Sequence, residues 1–85
     1  MLGFSRKGNR VSDTQKEWAD LAKRHMKATL KRHDVGYEEL ARRLSEMGLP
    51  ETEGSVTVKI NRGAFPAWWL IAVARAVGAH TLHLE

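Results

Sequence analysis

Cysteine is absent from this 85-residue sequence. A disulfide framework and a thiolate metal site are therefore excluded, and the fold must be stabilised by packing or by association with another chain. The sequence also lacks an apolar run near the ~18 residues that cross a bilayer, and residues 1–4 are too few for the apolar core of a signal peptide. We therefore expect a cytoplasmic protein with no membrane partner.

The residue groupings that carry catalysis are missing as well. No nucleophile stands in a pattern that pairs it with a base, and the glycines are too scattered to cradle a phosphate. His80 and His83 lie together only near the terminus. His25 falls on an apolar helical stripe with no second ligand four residues away, which is typical of a core histidine. We expect no catalytic residue, no metal, no cofactor and no small-molecule substrate.

Positive charge is the main compositional feature that is present. The chain has 14 Lys and Arg residues against 10 Asp and Glu residues, which gives a net charge of +4 and a pI near 9.9. Such a balance favours polyanionic partners, although many small domains are equally basic. The length indicates one domain, close to the size at which a single core is only just sufficient, so the chain folds alone or with a partner.

Helical periodicity runs through most of the chain. It predicts an all-α fold, a compact bundle of four or five short helices. Two overlapping capping boxes place the start of helix one between Ser12 and Thr14, and its buried face includes Trp18. The second helix begins at Tyr37, with Gly36 as its N-cap and acidic residues in its first turn.

The third and fourth helices are delimited by caps and by proline. Thr52 or Ser55 can cap the third helix, and we favour Thr52, which gives a helix over about 52–62. Gly63 ends this helix, and Pro66 occupies the first turn of a fourth helix that extends to about residue 77.

The stretch from Tyr37 to Phe65 resembles the helix-turn-helix domain of phage repressors and Cro. The resemblance is carried by Glu39-Leu40-Ala41, by Ile60-Asn61-Arg62-Gly63 and by the proline-led helix that follows. It implies a repressor-like fold in which the second helix of the motif enters the major groove of DNA. The segment from Met47 to Gly54 is several residues longer than the turn of the repressors.

The chain is also similar to a small bacterial family described only as a domain of unknown function. The shared pattern consists of Trp18, the stretch from Tyr37 to Leu44 and Lys59-Ile60-Asn61-Arg62-Gly63-Ala64-Phe65. This similarity covers roughly Trp18 to Leu82.

The two ends of the chain are interpreted separately from the helix-turn-helix domain, which we assign to residues 12–83. Residues 1–11 mix Arg and Lys with Gly, Ser and Asn, a composition that buries too little apolar surface to order itself. We interpret them as a flexible basic arm, either a disordered terminus or a segment that follows the DNA backbone. Residues 84–85 resemble a cloning-site remnant.

The repressor resemblance implies a bacterial or phage transcriptional regulator that reads double-stranded DNA with its third helix. Thr57 and Asn61 are candidates for hydrogen bonds to base edges, and Val58 for packing on a thymine methyl group. Lys59 and Arg62 are candidates for contacts with phosphate or guanine. The other candidate phosphate contacts are Ser55, Arg42 and Arg43.

These assignments have structural alternatives. Asn61 is equally suited to bonding backbone groups at the end of the helix. Val58 suits a dimer contact or the core, and Arg42 and Arg43 suit an ordinary solvated face. Glu53 repels phosphate, and it therefore marks a limit of the DNA-facing surface.

The fourth helix has two apolar faces. One face consists of Trp69, Leu70, Val73 and Val77. The other consists of Trp68, Ile71 and Ala72 beside a single charge, Arg75. Because a small monomer rarely exposes such a pair of large apolar side chains, we expect a homodimer through this second face. Alternatively, residues 80–83 fold back and cover it.

Two other functions fit the same sequence. One is a protein-interaction adaptor that uses the apolar face of helix four and is insensitive to salt. The other is an antitoxin or small phage regulator, which dimerises, binds an operator and holds another protein. A salt titration of binding to random and genomic duplex DNA tests the DNA-binding function directly.

Overall fold

Four α-helices follow one another in the structure, a computed structural model that describes residues 9–79 of the 85-residue chain. They are α1, Asn9–Arg32; α2, Tyr37–Glu46; α3, Glu53–Arg62; and α4, Ala67–Val77. This range contains no strand, so the predicted all-α fold is confirmed, with four helices. Helix α1 has 24 residues and is not a short helix.

Helix α1 begins at Asn9, before the start predicted between Ser12 and Thr14. A capping sequence expresses only a preference for a start, and an existing helix gains one hydrogen bond for each residue added to it. Residues 9–11 of the predicted basic arm therefore belong to α1. Residues 1–8 and 80–85 lie outside the described residues, and with them the rest of the arm and the C-terminal end.

The predicted N-caps of α2 and α3 are confirmed: they are Gly36 and Thr52. Pro66, predicted in the first turn of the fourth helix, is instead its N-cap, because its backbone is extended with ψ of 156°, and α4 begins one residue later. The Thr52 hydroxyl accepts a hydrogen bond from the Ser55 backbone N–H (3.1 Å), and the Ser55 hydroxyl accepts one from the Thr52 N–H (2.9 Å). This reciprocal capping box fixes the start of α3.

The core forms where the inner faces of all four helices meet. Helix α3 packs against α1 and α2, and α4 packs against α2. Each large apolar side chain that is fully buried contributes roughly 1.5–3 kcal/mol relative to an exposed one. The largest of these side chains are Trp69, Leu40, Leu44, Ile60, Val56 and Val73.

Helix α1 contributes to this core only through its second half. Met26, Thr29 and Leu30 are its buried side chains among the described residues. Trp18, predicted on the buried face, leaves 66% of its surface exposed, so that prediction is wrong. The reason is direction: α3 approaches α1 as far as Ala19, but at 100° per residue Trp18 points about 80–120° away from Met26 and Leu30, which face the core.

The glycine that ends α3 lies directly against α1. Gly63 has a left-handed conformation, with φ of 64°. A Cβ atom at this position would lie 2.1 Å from the Ala19 carbonyl oxygen and 2.7 Å from its carbonyl carbon. Gly63 is therefore required by its left-handed conformation and by the close approach of the α3 backbone to the α1 backbone.

Candidate nucleic-acid interface

Helix α3 has an inner face and an outer face. Val56 and Ile60 are completely buried, and their spacing of four residues fixes the rotation of the helix about its axis. Val58, Asn61 and Arg62 are exposed on the other side. Half of the Val58 surface is exposed, so this side chain belongs to the surface and not to the core. The outer face thus presents an apolar, an amide and a guanidinium group within two helical turns.

The two polar side chains of this outer face are free within the described part of the chain. Neither Asn61 nor Arg62 makes a side-chain hydrogen bond or ion pair with another described residue. The alternative role of Asn61, bonding of backbone groups at the helix end, is therefore not observed among these residues. An amide and a guanidinium group are the side-chain types that bind adenine, and guanine or phosphate, respectively.

Two hydroxyl groups among the candidate contacts are engaged within the protein. The Thr57 hydroxyl donates to the Glu53 carbonyl oxygen (2.7 Å). The Ser55 hydroxyl belongs to the capping box and also donates to the Glu51 carboxylate (2.5 Å). Ser55 must therefore give up its role at the helix start to contact a phosphate, whereas Thr57 retains acceptor capacity.

Glu51 is the centre of a buried polar cluster, which we call the Glu51 cluster. Its side chain is only 4% exposed. It accepts hydrogen bonds from Lys59 Nζ (2.5 Å), the Ser55 hydroxyl (2.5 Å) and Trp69 Nε1 (3.0 Å). Burial acts to raise the pKa of Glu51, but these hydrogen bonds outweigh it and the pKa is lowered. Through these hydrogen bonds, Glu51 links the long connection between α2 and α3 to α3 and to α4.

Lys59 is consequently paired within the protein, although 44% of its side chain is exposed. Its ammonium group pairs with Glu51 and lies 5.6 Å from the ring centroid of Trp69, within the range of a cation–π contact. Of the two cations that the sequence suggests for DNA contacts on α3, only Arg62 carries a charge without an acidic partner among the described residues.

Arg42 and Arg43 belong to an ion-pair network on α2. Both pair with Glu39, and Arg42 also contacts Glu46 (2.6 Å). Hydrogen bonds from Arg42 and Arg43 lower the pKa of Glu39 to about 2. Arg43 further donates to the Ala76 carbonyl oxygen (3.0 Å), which links α2 to the end of α4. The structure therefore gives both arginines partners within the protein.

Helix α4 exposes part of its second apolar face. Trp68 and Ile71 are 58% and 55% exposed, and Arg75 is exposed one turn further on. Ala72 is instead buried in the core, so its assignment to the partner surface is wrong. At 100° per residue Ala72 lies within about 60° of the direction of Trp69, which faces inward.

We call Trp68, Ile71 and Arg75 the α4 patch. Two other kinds of site are not found in the range that the structure describes. None of its helices is long and apolar enough to cross a membrane. No three His, Cys, Asp or Glu residues within it are placed to hold a metal ion.

Comparison with protein-family models finds a match over residues 18–82 to a family described as "Domain of unknown function (DUF6471)". The extent of this match agrees with the range from Trp18 to Leu82 that the sequence pattern predicts. No curated protein and no solved structure matches the chain. The resemblance to phage repressors therefore stays a prediction.

Proposed function

This chain belongs to the DUF6471 family, and we propose that it is a DNA-binding protein of the helix-turn-helix type, a transcriptional regulator that reads duplex DNA with α3. The observation that carries the proposal is the outer face of α3, where Asn61 and Arg62 are exposed and unpaired within the described chain. The net charge of +4 adds attraction to the phosphate backbone.

The C-terminal half of α3 is the proposed contact surface. Val58, Asn61 and Arg62 all lie there, and they suit a thymine methyl, an adenine edge, and a guanine or phosphate, respectively. The first turn of α3 is less suitable, because Glu53 is exposed in it and repels phosphate. Repressors use the N-terminal residues of the recognition helix. We therefore propose a docking geometry shifted along α3, which accompanies the longer connection before it.

Replacement of Arg62 by alanine is expected to weaken duplex binding and to reduce the slope of log K against log salt concentration by about one. Lys59→Ala is expected to change the slope less, because the Lys59 charge is already paired with Glu51. Asn61→Ala and Thr57→Ala are expected to alter the preference among sequences more than the slope. Fluorescence anisotropy of labelled random and genomic duplexes over a salt series measures all four effects.

Lys16→Ala is the control for Arg62→Ala, since it removes one exposed positive charge from α1. The salt slope of this variant should equal that of the unmodified protein. An equal reduction in both variants would mean that net charge alone drives binding. The absence of any binding by the unmodified protein at low salt would remove the proposal.

A second candidate function, a protein-interaction adaptor or antitoxin-type module, is favoured by the α4 patch. Trp68 and Ile71 lie about one turn apart, and each exposes more than half of its surface. Large exposed apolar side chains in a small domain indicate a contact with another protein. The partner is either a second copy, as in the expected homodimer, or a different chain, and apolar contact makes either association insensitive to salt.

The double variant Trp68→Ser/Ile71→Ser tests the α4 patch. Because both side chains are exposed, its free energy of unfolding should change little, within about 1 kcal/mol. Its weight-average mass in sedimentation equilibrium should be lower than that of the unmodified protein at the same high concentration. Equal masses would contradict the expected homodimer through α4 and would leave a different protein as the partner.

A further inference from the structure

The first half of α1 presents a helical seam that neither the core nor the proposed DNA surface uses. Among the described residues, the buried side chains of α1 begin at Met26. N-terminal to it, Trp18 is largely exposed, and Leu21 and His25 are only half-buried. The residues of this seam are separated alternately by four and three positions along one line of the helix, which is the spacing typical of helix-helix contacts. The seam consists of Thr14, Trp18, Leu21, His25 and Ala28.

Six charged side chains form a stripe along α1 beside this seam, with acids in its first half and bases in its second half. All six are exposed, and at 100° per residue they fall within about 80° of the helix circumference. The first half of the stripe carries Asp13, Glu17 and Asp20, and the second half carries Arg24, Lys27 and Lys31. The remaining basic residues in this part of the helix, Lys16 and Lys23, lie off the stripe, and Lys23 is 3.8 Å from Asp20.

The arrangement of these charges is symmetric about Ala22 with the sign reversed. Asp20 and Arg24 lie two residues on either side of Ala22. Glu17 and Lys27 lie five residues away, and the outermost acid and base of the stripe, at positions 13 and 31, lie nine residues away. A second copy that runs antiparallel, rotated about a two-fold axis near Ala22, therefore places each acid over a base. In a parallel pair the two stripes lie on opposite sides of the contact, because all six charges are on one side of the seam, so no acid of one copy meets a base of the other.

We propose that two copies of this chain associate through an antiparallel contact of their α1 helices, which covers Trp18 and Leu21. Flanking charges of this kind set the orientation of helix pairs, and only the antiparallel orientation brings the opposite charges of the two stripes together. The contact is isologous, as in most homodimers. It extends over a few helical turns, so it lies at the small end of interface sizes, and the association depends on concentration. It does not depend on DNA and is separate from the α4 patch.

Single cysteines test the orientation, because the chain has none of its own. With a rise of 1.5 Å per residue, the two Thr14 positions of an antiparallel pair lie about 24 Å apart along the axis, and the two Ala28 positions about 18 Å apart. Thr14 of one copy and Ala28 of the other lie within about 3 Å along the axis. An oxidised mixture of the Thr14→Cys and Ala28→Cys variants is expected to give a disulfide-linked heterodimer, while each variant alone stays largely unlinked.

Two outcomes of the cysteine experiment would overturn the proposal. Efficient homodimer formation by each variant alone would indicate a parallel pair. The absence of any linked product from the mixture at high concentration would show that the α1 helices do not pair in this way. Neither result depends on DNA, so the proposed DNA binding is tested separately.

A charge exchange tests the role of the stripe. Glu17→Lys and Lys27→Glu each place like charges opposite one another at two related points of the pair, and each is expected to raise the dimer dissociation constant by roughly tenfold or more at low salt. The double variant Glu17→Lys/Lys27→Glu restores opposite charges and should recover the affinity. Sedimentation equilibrium in the Trp68→Ser/Ile71→Ser background isolates the α1 contact. Single variants without effect, or a double variant that is not rescued, would overturn the proposal.

Discussion

Replacement of Gly63 by alanine is expected to lower the free energy of unfolding by about 2–4 kcal/mol. Part of this loss comes from the left-handed backbone conformation, with φ of 64°. The larger part comes from the added methyl group, which would lie 2.1 Å from the Ala19 carbonyl oxygen and must push α1 and α3 apart. In a domain of this size such a loss lowers the melting temperature by roughly 10 °C or more, as followed by circular dichroism.

Gly48→Ala and Gly78→Ala are the matched controls for this prediction. Both glycines also have positive φ, 92° and 81°, but within residues 9–79, chain neighbours aside, no atom lies within 4 Å of a Cβ built at either position. Alanine at these sites bears only the conformational penalty of about 1–2 kcal/mol. If Gly63→Ala is no more destabilising than the two controls, the contact with Ala19 does not constrain residue 63.

Replacement of Glu51 by alanine is expected to cost about 2–4 kcal/mol, because it removes three hydrogen bonds from a buried carboxylate at once. Trp69 Nε1 loses its partner inside the core, and Lys59 loses its counter-charge. Urea unfolding monitored by circular dichroism measures the change. Glu53→Ala is the control, since Glu53 is exposed two residues away in the sequence. Comparable losses in both variants would contradict a special role for the buried carboxylate.

The contribution of Glu51 is also expected to depend on pH. The folded state lowers the pKa of this carboxyl group from its ordinary value of 4.5. A group of this kind stabilises the fold fully above its unfolded pKa, and the stabilisation is lost as the pH falls through the folded value. The difference in stability between the unmodified protein and Glu51→Ala should therefore be constant above about pH 5.5 and shrink below pH 4.5. A difference that persists unchanged in acid would contradict the ionised cluster.

The parts of the fold that were predictable are those with local signals. The Thr52 cap, the left-handed Gly63 and the proline before α4 each determine a helix end within a few residues of sequence. The start of α1 and the exposure of Trp18 were not predictable in this way. A periodic pattern shows which residues share a broad face, but tertiary packing decides which part of that face is covered.

The same distinction between local signals and tertiary packing applies to the candidate site. The outer face of α3 follows from the spacing of Val56 and Ile60, so the exposure of Asn61 and Arg62 could be derived from the sequence. The Glu51 cluster could not be derived. Its ion pair joins residues eight apart and its indole contact residues 18 apart, across three separate elements. No helical or turn rule relates such positions, and only tertiary packing brings them together.

The environments of the three tryptophans give the protein an intrinsic optical probe. Trp18 and Trp68 are largely in water, whereas Trp69 is 1% exposed and its indole N–H is bonded to a carboxylate. In the monomer a collisional quencher therefore reaches the first two and is excluded from the third. The fraction of indole emission that resists quenching reports whether Trp69 is still buried in the core, and it does so without any label.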